Sequence, residues 1–241
     1  MEKFAVVTGG TSGIGLATVN KLIERGIRVA TMARKPNPDC PDTDMRKHFN
    51  CDLTDSASVY AAVDAAIEWG GPINYFYNIA GISLNEGFLD TPEEHWDKVI
   101  AINLKGPFII SQYVAKKMIE MGGGESITLT SSNSAYGATP KLGPHYHATK
   151  AGIVNMARLI AVELAPYGIR CNSVSPGLIR TPMTEHLMNT EEKMHIMFDR
   201  RPIKRPGKPE EIADAMVYMG VDATFCTADD LLIDGGIVAV V

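Results

Sequence analysis

The chain has 241 residues, 45% of them hydrophobic and 21% charged, with a formal net charge of -5. That length allows one or two domains and burial of roughly 70–75% of the unfolded surface, so folding needs no disulfide or metal staple. The ordinary charge and apolar content exclude a largely disordered chain, and the mild acidity excludes a global attraction to nucleic acid or to an anionic membrane.

Short apolar, β-branched runs alternate with longer helical patterns along the whole chain. Strands are predicted at Phe4–Thr8, Arg28–Met32, Arg46–Cys51, Ile73–Asn78, Ser126–Ser131, Arg170–Val174 and Leu231–Asp234. Between them lie helix patterns near Gly13–Glu24, Ser56–Trp69, Pro92–Met121, Tyr146–Ala165, Glu185–Phe198 and Glu210–Val221, the third expected to break at Gly106-Pro107. The runs around Val6, Val29 and Ile127 are almost continuously apolar, as in strands covered on both faces. Alternating elements of these lengths imply βαβ crossovers around a parallel sheet. No Pro/Gly-rich linker divides the chain, so residues 1–241 read as one domain, with 177–205 as a charged, Met-rich excursion from the sheet.

Cys40, Cys51, Cys171 and Cys226 form no CxxC pair, and His145 with His147 lacks a second ligand pair, so no metal site is expected. The chain start runs straight into a strand pattern without a signal-peptide core, and no window approaches the roughly 20 apolar residues of a membrane helix. A cytoplasmic protein without a membrane or nucleic-acid partner is expected.

The first strand is followed by Gly9-Gly10-Thr11-Ser12-Gly13-Ile14-Gly15 and then by a helix. Glycines at such a turn let the backbone approach a pyrophosphate, and the helix N-terminus offers N–H groups and partial positive charge. After the third strand, Asp52 in Cys51-Asp52-Leu53 either accepts from an adenine amino group or caps the next helix. The second strand ends in Ala33-Arg34-Lys35, with no acid before Asp39. A carboxylate there would bond a ribose 2′-hydroxyl, whereas cations suit a 2′-phosphate, so NADP(H) is favoured over NAD(H).

Tyr146 and Lys150 stand four apart, on one face of a predicted helix. A free phenol has a pKa near 10, and a neighbouring ammonium is expected to lower it toward working pH. The preceding strand ends in Thr130-Ser131-Ser132, at the carboxyl edge where open α/β sheets bind ligands. Ser132, or alternatively Ser131, can fix a substrate oxygen against the Tyr146 phenol.

Together these motifs resemble the short-chain dehydrogenase/reductase family. Thr8–Gly15, Asn78-Ile79-Ala80-Gly81, Asn103, Ser132, Tyr146/Lys150, Ser175-Pro176-Gly177 and Asp234-Gly235-Gly236 stand in that family's order and spacing. The resemblance implies a Rossmann-like, doubly wound, seven-stranded parallel sheet with helices on both faces, assembled as a homotetramer or homodimer. It makes Tyr146 the general acid/base, Lys150 its pKa modulator and ribose ligand, Ser132 the substrate-orienting hydroxyl, and Asn103 the holder of a relay water. It gives Asn78, Ala80 and Gly81 a cofactor role at a strand end, and puts Pro176, Gly177, Ile179 and Thr181 around the nicotinamide. Two departures stand out: Ile79 replaces a frequent second Asn, and Phe225–Asp230 replaces the usual turn before the last strand.

The substrate is expected to be a medium-sized ketone or secondary alcohol in a mostly apolar pocket, touched by Ser132, Asn133, Ser134, His145, Tyr146, Met183 and Leu187, with His145 alternatively only starting the helix. Met183, Met188, Met194 and Met197 read either as an adaptable apolar lid or as packing. The cluster Arg200, Arg201, Lys204 and Arg205 raises an alternative, docking of an acidic acyl carrier for 3-oxoacyl-thioester reduction. A non-catalytic dinucleotide sensor or scaffold is the alternative of another class, and its mark would be loss of Tyr146 or Lys150.

Overall fold

The computed structural model describes residues 2–199 and 201–240. β1 (Phe4–Thr8) lies inside the sheet, and its five residues are all buried. All seven strands are parallel, in the order β3-β2-β1-β4-β5-β6-β7. The others are β2 (Arg28–Ala33), β3 (Arg46–Asn50), β4 (Tyr75–Asn78), β5 (Ser126–Thr130), β6 (Arg170–Pro176) and β7 (Asp230–Ile233). Strand direction of winding reverses between β3 and β4, which lie on opposite sides of β1. At such a switch point the carboxyl ends of the strands open a ligand crevice.

Side chains alternate across a strand, so β1 feeds two cores. Phe4 and Val6 face a cluster with Val59 and Val63 of α2 (Ser56–Gly70), Ile110 and Val114 of α4 (Gly106–Met121), and Ile153 of α5 (Pro144–Leu164). Ala5 and Val7 face the other cluster, with Val19 and Leu22 of α1 (Gly13–Glu24) and Ile212 and Met216 of α7 (Pro209–Val217). Each fully buried large apolar side chain contributes about 1.5–3 kcal/mol. The doubly wound architecture expected from the sequence is present.

Several strand and helix ends move by one or two residues, and three helix patterns are divided differently from expectation. The Pro92–Met121 helix does not break at Gly106-Pro107. It runs as α3 (Glu93–Ile100), a π turn at Ala101–Lys105, and then α4. Gly106 N–H donates to Ala101 C=O, five residues back, and Pro107, which has no N–H to lose, sits in the first turn of α4. The 185–198 pattern splits into a 3-10 turn at Glu185–Leu187 and α6 (Glu191–Phe198), because extended Thr190 caps α6 by accepting from Lys193 N–H. The last helix pattern ends earlier as α7, followed by a π turn at Tyr218–Asp222.

The unusual Phe225–Asp230 segment leaves Phe225 fully exposed, yet it is tied to β6. Ala228 N–H donates to Cys171 C=O at 2.8 Å, and Asp230 accepts from Ser175 at 3.0 Å and from Tyr136 at 2.8 Å. No helix among the described residues is long and apolar enough to cross a membrane.

Candidate active site

The glycine turn is built by close approaches that side chains would block. Gly9 has φ +68, and a Cβ there would lie 2.9 Å from Cα of Ala80; a Cβ on Gly15 would strike the Gly9 carbonyl. Thr8 locks the turn to the end of β4. Its buried hydroxyl donates to Asn78 Oδ1 at 2.6 Å and accepts from the N–H groups of Ile79 at 3.1 Å and Ala80 at 3.2 Å. Asn78 is thus a buried structural partner of Thr8, rather than a wall of the crevice. Ile79, the family departure, does line it.

Two clefts flank this turn and meet at Gly81, which lines both. One is bounded by Gly9, Arg34, Asp52, Leu53, Ala80 and Lys98. The exposed Arg34 is in that wall, whereas Lys35 is exposed outside it. Asp52 Oδ1 accepts from Thr54 N–H at 2.9 Å and from its hydroxyl at 2.7 Å, and these bonds hold the Asp52 carboxyl below its ordinary pKa, with help from Arg34. The helix-capping alternative falls to Asp55, which accepts from Ala57 N–H. Lys98 was not singled out by the sequence; it enters the cleft because α3 packs beside the loop after β4.

The second cleft is bounded by Ile14, Ser132, Tyr146, Lys150, Gly177, Ile179 and Thr181, with Pro176 behind them. A Cβ on Gly13 would lie 3.2 Å from the Thr181 side chain, so the segment after β6 passes close over the glycine turn. Ser12 makes no side-chain cap at α1, so the first-turn N–H groups have no competing side-chain acceptor. Thr11, Ser12, Gly13 and Gly15 therefore shape the turn and its N–H groups. A dinucleotide fits this arrangement: two clefts joined over a helix N-terminus whose glycines leave room for a pyrophosphate.

Both serines are buried and border the second cleft, but Ser131 donates to Lys150 C=O at 2.7 Å, whereas Ser132 also lines the continuation of the cleft beyond Tyr146. Ser132 Oγ accepts from Ser134 N–H at 3.1 Å and donates to Asn133 Oδ1 at 3.3 Å, a long bond that a substrate oxygen in the cleft can replace. Lys150 is buried, donates to Thr130 C=O at 2.9 Å, and sits 5.5 Å from the centre of the Tyr146 ring. Burial pushes its pKa down to about 8. The Tyr146 phenol does not follow the expectation of a lowered pKa: burial raises it, and the Ser132 hydroxyl offsets only part of that. Asn103 is buried in the π turn, its Oδ1 accepting from Ile82 N–H at 2.9 Å and its Nδ2 donating to Ile82 C=O at 2.8 Å. The side chain thereby fixes the loop after β4 below Gly81, and a π turn at this place is a common feature of functional sites.

Beyond Tyr146 the crevice continues as a further cleft open to solvent. Ser132, Asn133, Ser134, Tyr146, Met183 and Leu187 line it as expected, and Met197 joins them. Met188 is buried packing, and Met194 contacts Arg180 at 3.8 Å, so the methionines divide between wall and core. His145 is not a pocket residue. One position along a helix is a rotation of about 100°, so it points away from Tyr146. It is fully buried, with Nε2 3.5 Å from Glu86.

The basic cluster does not form one docking face. Arg205 is paired with Glu211 through two bonds of 2.8 and 2.7 Å, and Lys204 lies 3.8 Å from Asp199. Arg201 lines the substrate-side cleft, and Arg200 lies outside the described residues.

Comparison with known proteins agrees with this fold. A family described as enoyl-(acyl carrier protein) reductase matches residues 9–238. The NADP-dependent (R)-specific alcohol dehydrogenase of Lentilactobacillus kefiri is 34% identical, over 98% of this chain and 97% of its own length. A 3-oxoacyl-acyl-carrier-protein reductase of Thermotoga maritima is also 34% identical, over 98% of both. The crystal structure of a short-chain type dehydrogenase/reductase from Mycobacterium marinum superposes with a TM-score of 0.91 at 32% identity, over 98% of this chain and 95% of its own.

Proposed function

The chain belongs to the short-chain dehydrogenase/reductase family, and from that membership we propose an NADP(H)-dependent oxidoreductase that interconverts a ketone and a secondary alcohol. The observation that carries this reading is the meeting of Ser132, Tyr146 and Lys150 in one cleft that joins the dinucleotide crevice at Gly81. When bound, the nicotinamide supplies the hydride. The protein supplies position and a proton.

Ser132 donates a hydrogen bond to the carbonyl oxygen and holds it against the Tyr146 hydroxyl. Tyr146 then delivers its proton to that oxygen as negative charge develops there. Lys150, held by Thr130 C=O, places a positive charge beside the phenol that must become phenolate. Gly9, Gly13 and Gly15 shape the pyrophosphate turn, and Ile14, Pro176, Gly177, Ile179 and Thr181 border the nicotinamide side. Arg34 and Lys98 border the ribose side, and their paired positive charge supports the 2′-phosphate preference. The named NADP dependence of the Lentilactobacillus relative points the same way.

Assembly as a homotetramer or homodimer belongs to the same reading. Phe108 on α4 and Leu159 and Val162 on α5 are exposed apolar side chains that a subunit contact would cover. A cytoplasmic location is supported by four free cysteines. The acyl-thioester reading is carried as second, on the Thermotoga relative rather than on the dispersed basic cluster. The idle-sensor reading has neither of its marks, since Tyr146 and Lys150 both stand in the cleft.

The test is consumption of NADPH against a panel of ketones and acyl thioesters, with secondary alcohols run in reverse. Turnover of ketones supports the reading; turnover of carrier thioesters alone would move it to the second one. Absence of all turnover with intact cofactor binding would favour the sensor.

A further inference from the structure

We propose that the substrate carries its own anionic group, a carboxylate or a phosphate, which Arg201 receives. This rests on the oxidoreductase reading of the same site and names the substrate class that reading leaves open. Arg201 lines the cleft that also contains Ser132 and Tyr146. No Asp or Glu lines that cleft among the described residues, and its other basic side chain is His186, which is bonded to Asn85 at 3.1 Å.

Arg201 is held in place from two sides. Its Nε donates to Met197 C=O at 2.9 Å, and its guanidinium carbon lies 4.9 Å from the centre of the Phe198 ring. Among the described residues it forms no ion pair, in contrast to Arg205 on the same segment. Asp234 is the acid nearest in influence, but its two oxygens accept from the N–H groups of Gly236 and Val238. Arg201 is half-buried, and burial disfavours its charge. Arg201 also borders a neighbouring cleft lined by Glu211 and Asp234, but its charge is offset there only at longer range by Asp234, which leaves the guanidinium open to a ligand's carboxylate or phosphate. With Nε committed to the backbone, the two terminal nitrogens form the fork that binds a carboxylate or phosphate edge.

Two matched pairs separate the anions: 4-oxopentanoate against its methyl ester, and dihydroxyacetone phosphate against dihydroxyacetone. A charge-assisted bond of this type is worth about a 10- to 100-fold preference. The charged member of at least one pair is expected to have kcat/KM higher by about ten-fold or more. In Arg201→Met that ratio should fall to within about three-fold, and in Arg201→Lys it should be partly retained. Calorimetry on the NADP⁺-loaded protein gives a second readout without turnover, with pentanoate expected to bind about ten-fold tighter than pentanamide in an Arg201-dependent way. Turnover of all four compounds without preference for charge overturns the anion site and leaves the oxidoreductase reading standing. No turnover of any compound, with the pentanoate preference intact, supports the anion site and counts against the reductase reading. Equal binding of pentanoate and pentanamide, or a preference that survives in Arg201→Met, overturns the anion site.

Discussion

Lys150 Nζ lies 5.5 Å from the centre of the Tyr146 ring while donating to the carbonyl oxygen of Thr130, so one buried ammonium is held to the sheet edge and faces the phenol. With a pKa pushed down to about 8, this ammonium is disfavoured by its own burial. The folded value lies below the unfolded one, so the folded state holds fewer protons between the two. Stability therefore rises as pH climbs from about 8 toward the unfolded value near 10.4. Relative to Lys150→Met, the wild-type protein should gain about 2–3 kcal/mol between pH 7 and pH 10, read from denaturant unfolding at each pH. An unchanged difference between the two proteins would show that Lys150 is not desolvated.

The same value bears on catalysis. The kcat/KM for ketone reduction should decline above pH about 8, as Lys150 loses the charge that favours the departing phenolate. A profile flat to pH 9.5 would contradict that role.

Ser131 and Ser132 should differ in what alanine does to turnover. Ser131→Ala removes a buried bond to Lys150 C=O and should cost about 1–2 kcal/mol of stability. Ser132→Ala removes the acceptor of Ser134 N–H, at a cost of about 0.5–2 kcal/mol, and in addition should lower kcat by about 10²-fold, the scale of a lost oxyanion donor. Kinetics and melting on both variants decide it.

How far the sequence reached can be judged from particular residues. The β-branched runs of β1 and β5 and the glycine turn were legible because each local pattern agrees with the tertiary role. Tyr146 and Lys150 share a helix face by spacing alone. His145 misled because adjacency in sequence is not adjacency on a helix. The π turn around Asn103 leaves no mark in residue pattern, and Gly106-Pro107 even argued for a break there. Arg201 and Arg205 could not be told apart in an irregular charged segment: one enters the cleft while the other is bonded to Glu211. Lys98 owes its place to how α3 packs, a tertiary fact.

Thr8→Val keeps the shape and removes the hydroxyl that serves Asn78, Ile79 and Ala80. Stranding buried Asn78 and the partly buried N–H groups of Ile79 and Ala80 should cost about 1–3 kcal/mol and weaken cofactor binding, since the same loop carries Gly81. Unfolding and NADPH titration of the variant check both effects; wild-type values for both would remove Thr8 from the site's framework.

Arg34→Ala should weaken NADPH binding by about ten-fold or more and leave NADH binding within about three-fold, because only the 2′-phosphate is lost as a partner. Equal loss for both cofactors would place Arg34 outside the phosphate's reach.

The proton donor is tested most directly by Tyr146→Phe with NADPH and a ketone turned over by the wild-type protein. Loss of the hydroxyl alone is expected to lower kcat by about 10²- to 10⁴-fold, with NADPH affinity retained within about three-fold. A Phe variant with kcat within a few-fold of wild type would contradict Tyr146 as the group that delivers the proton.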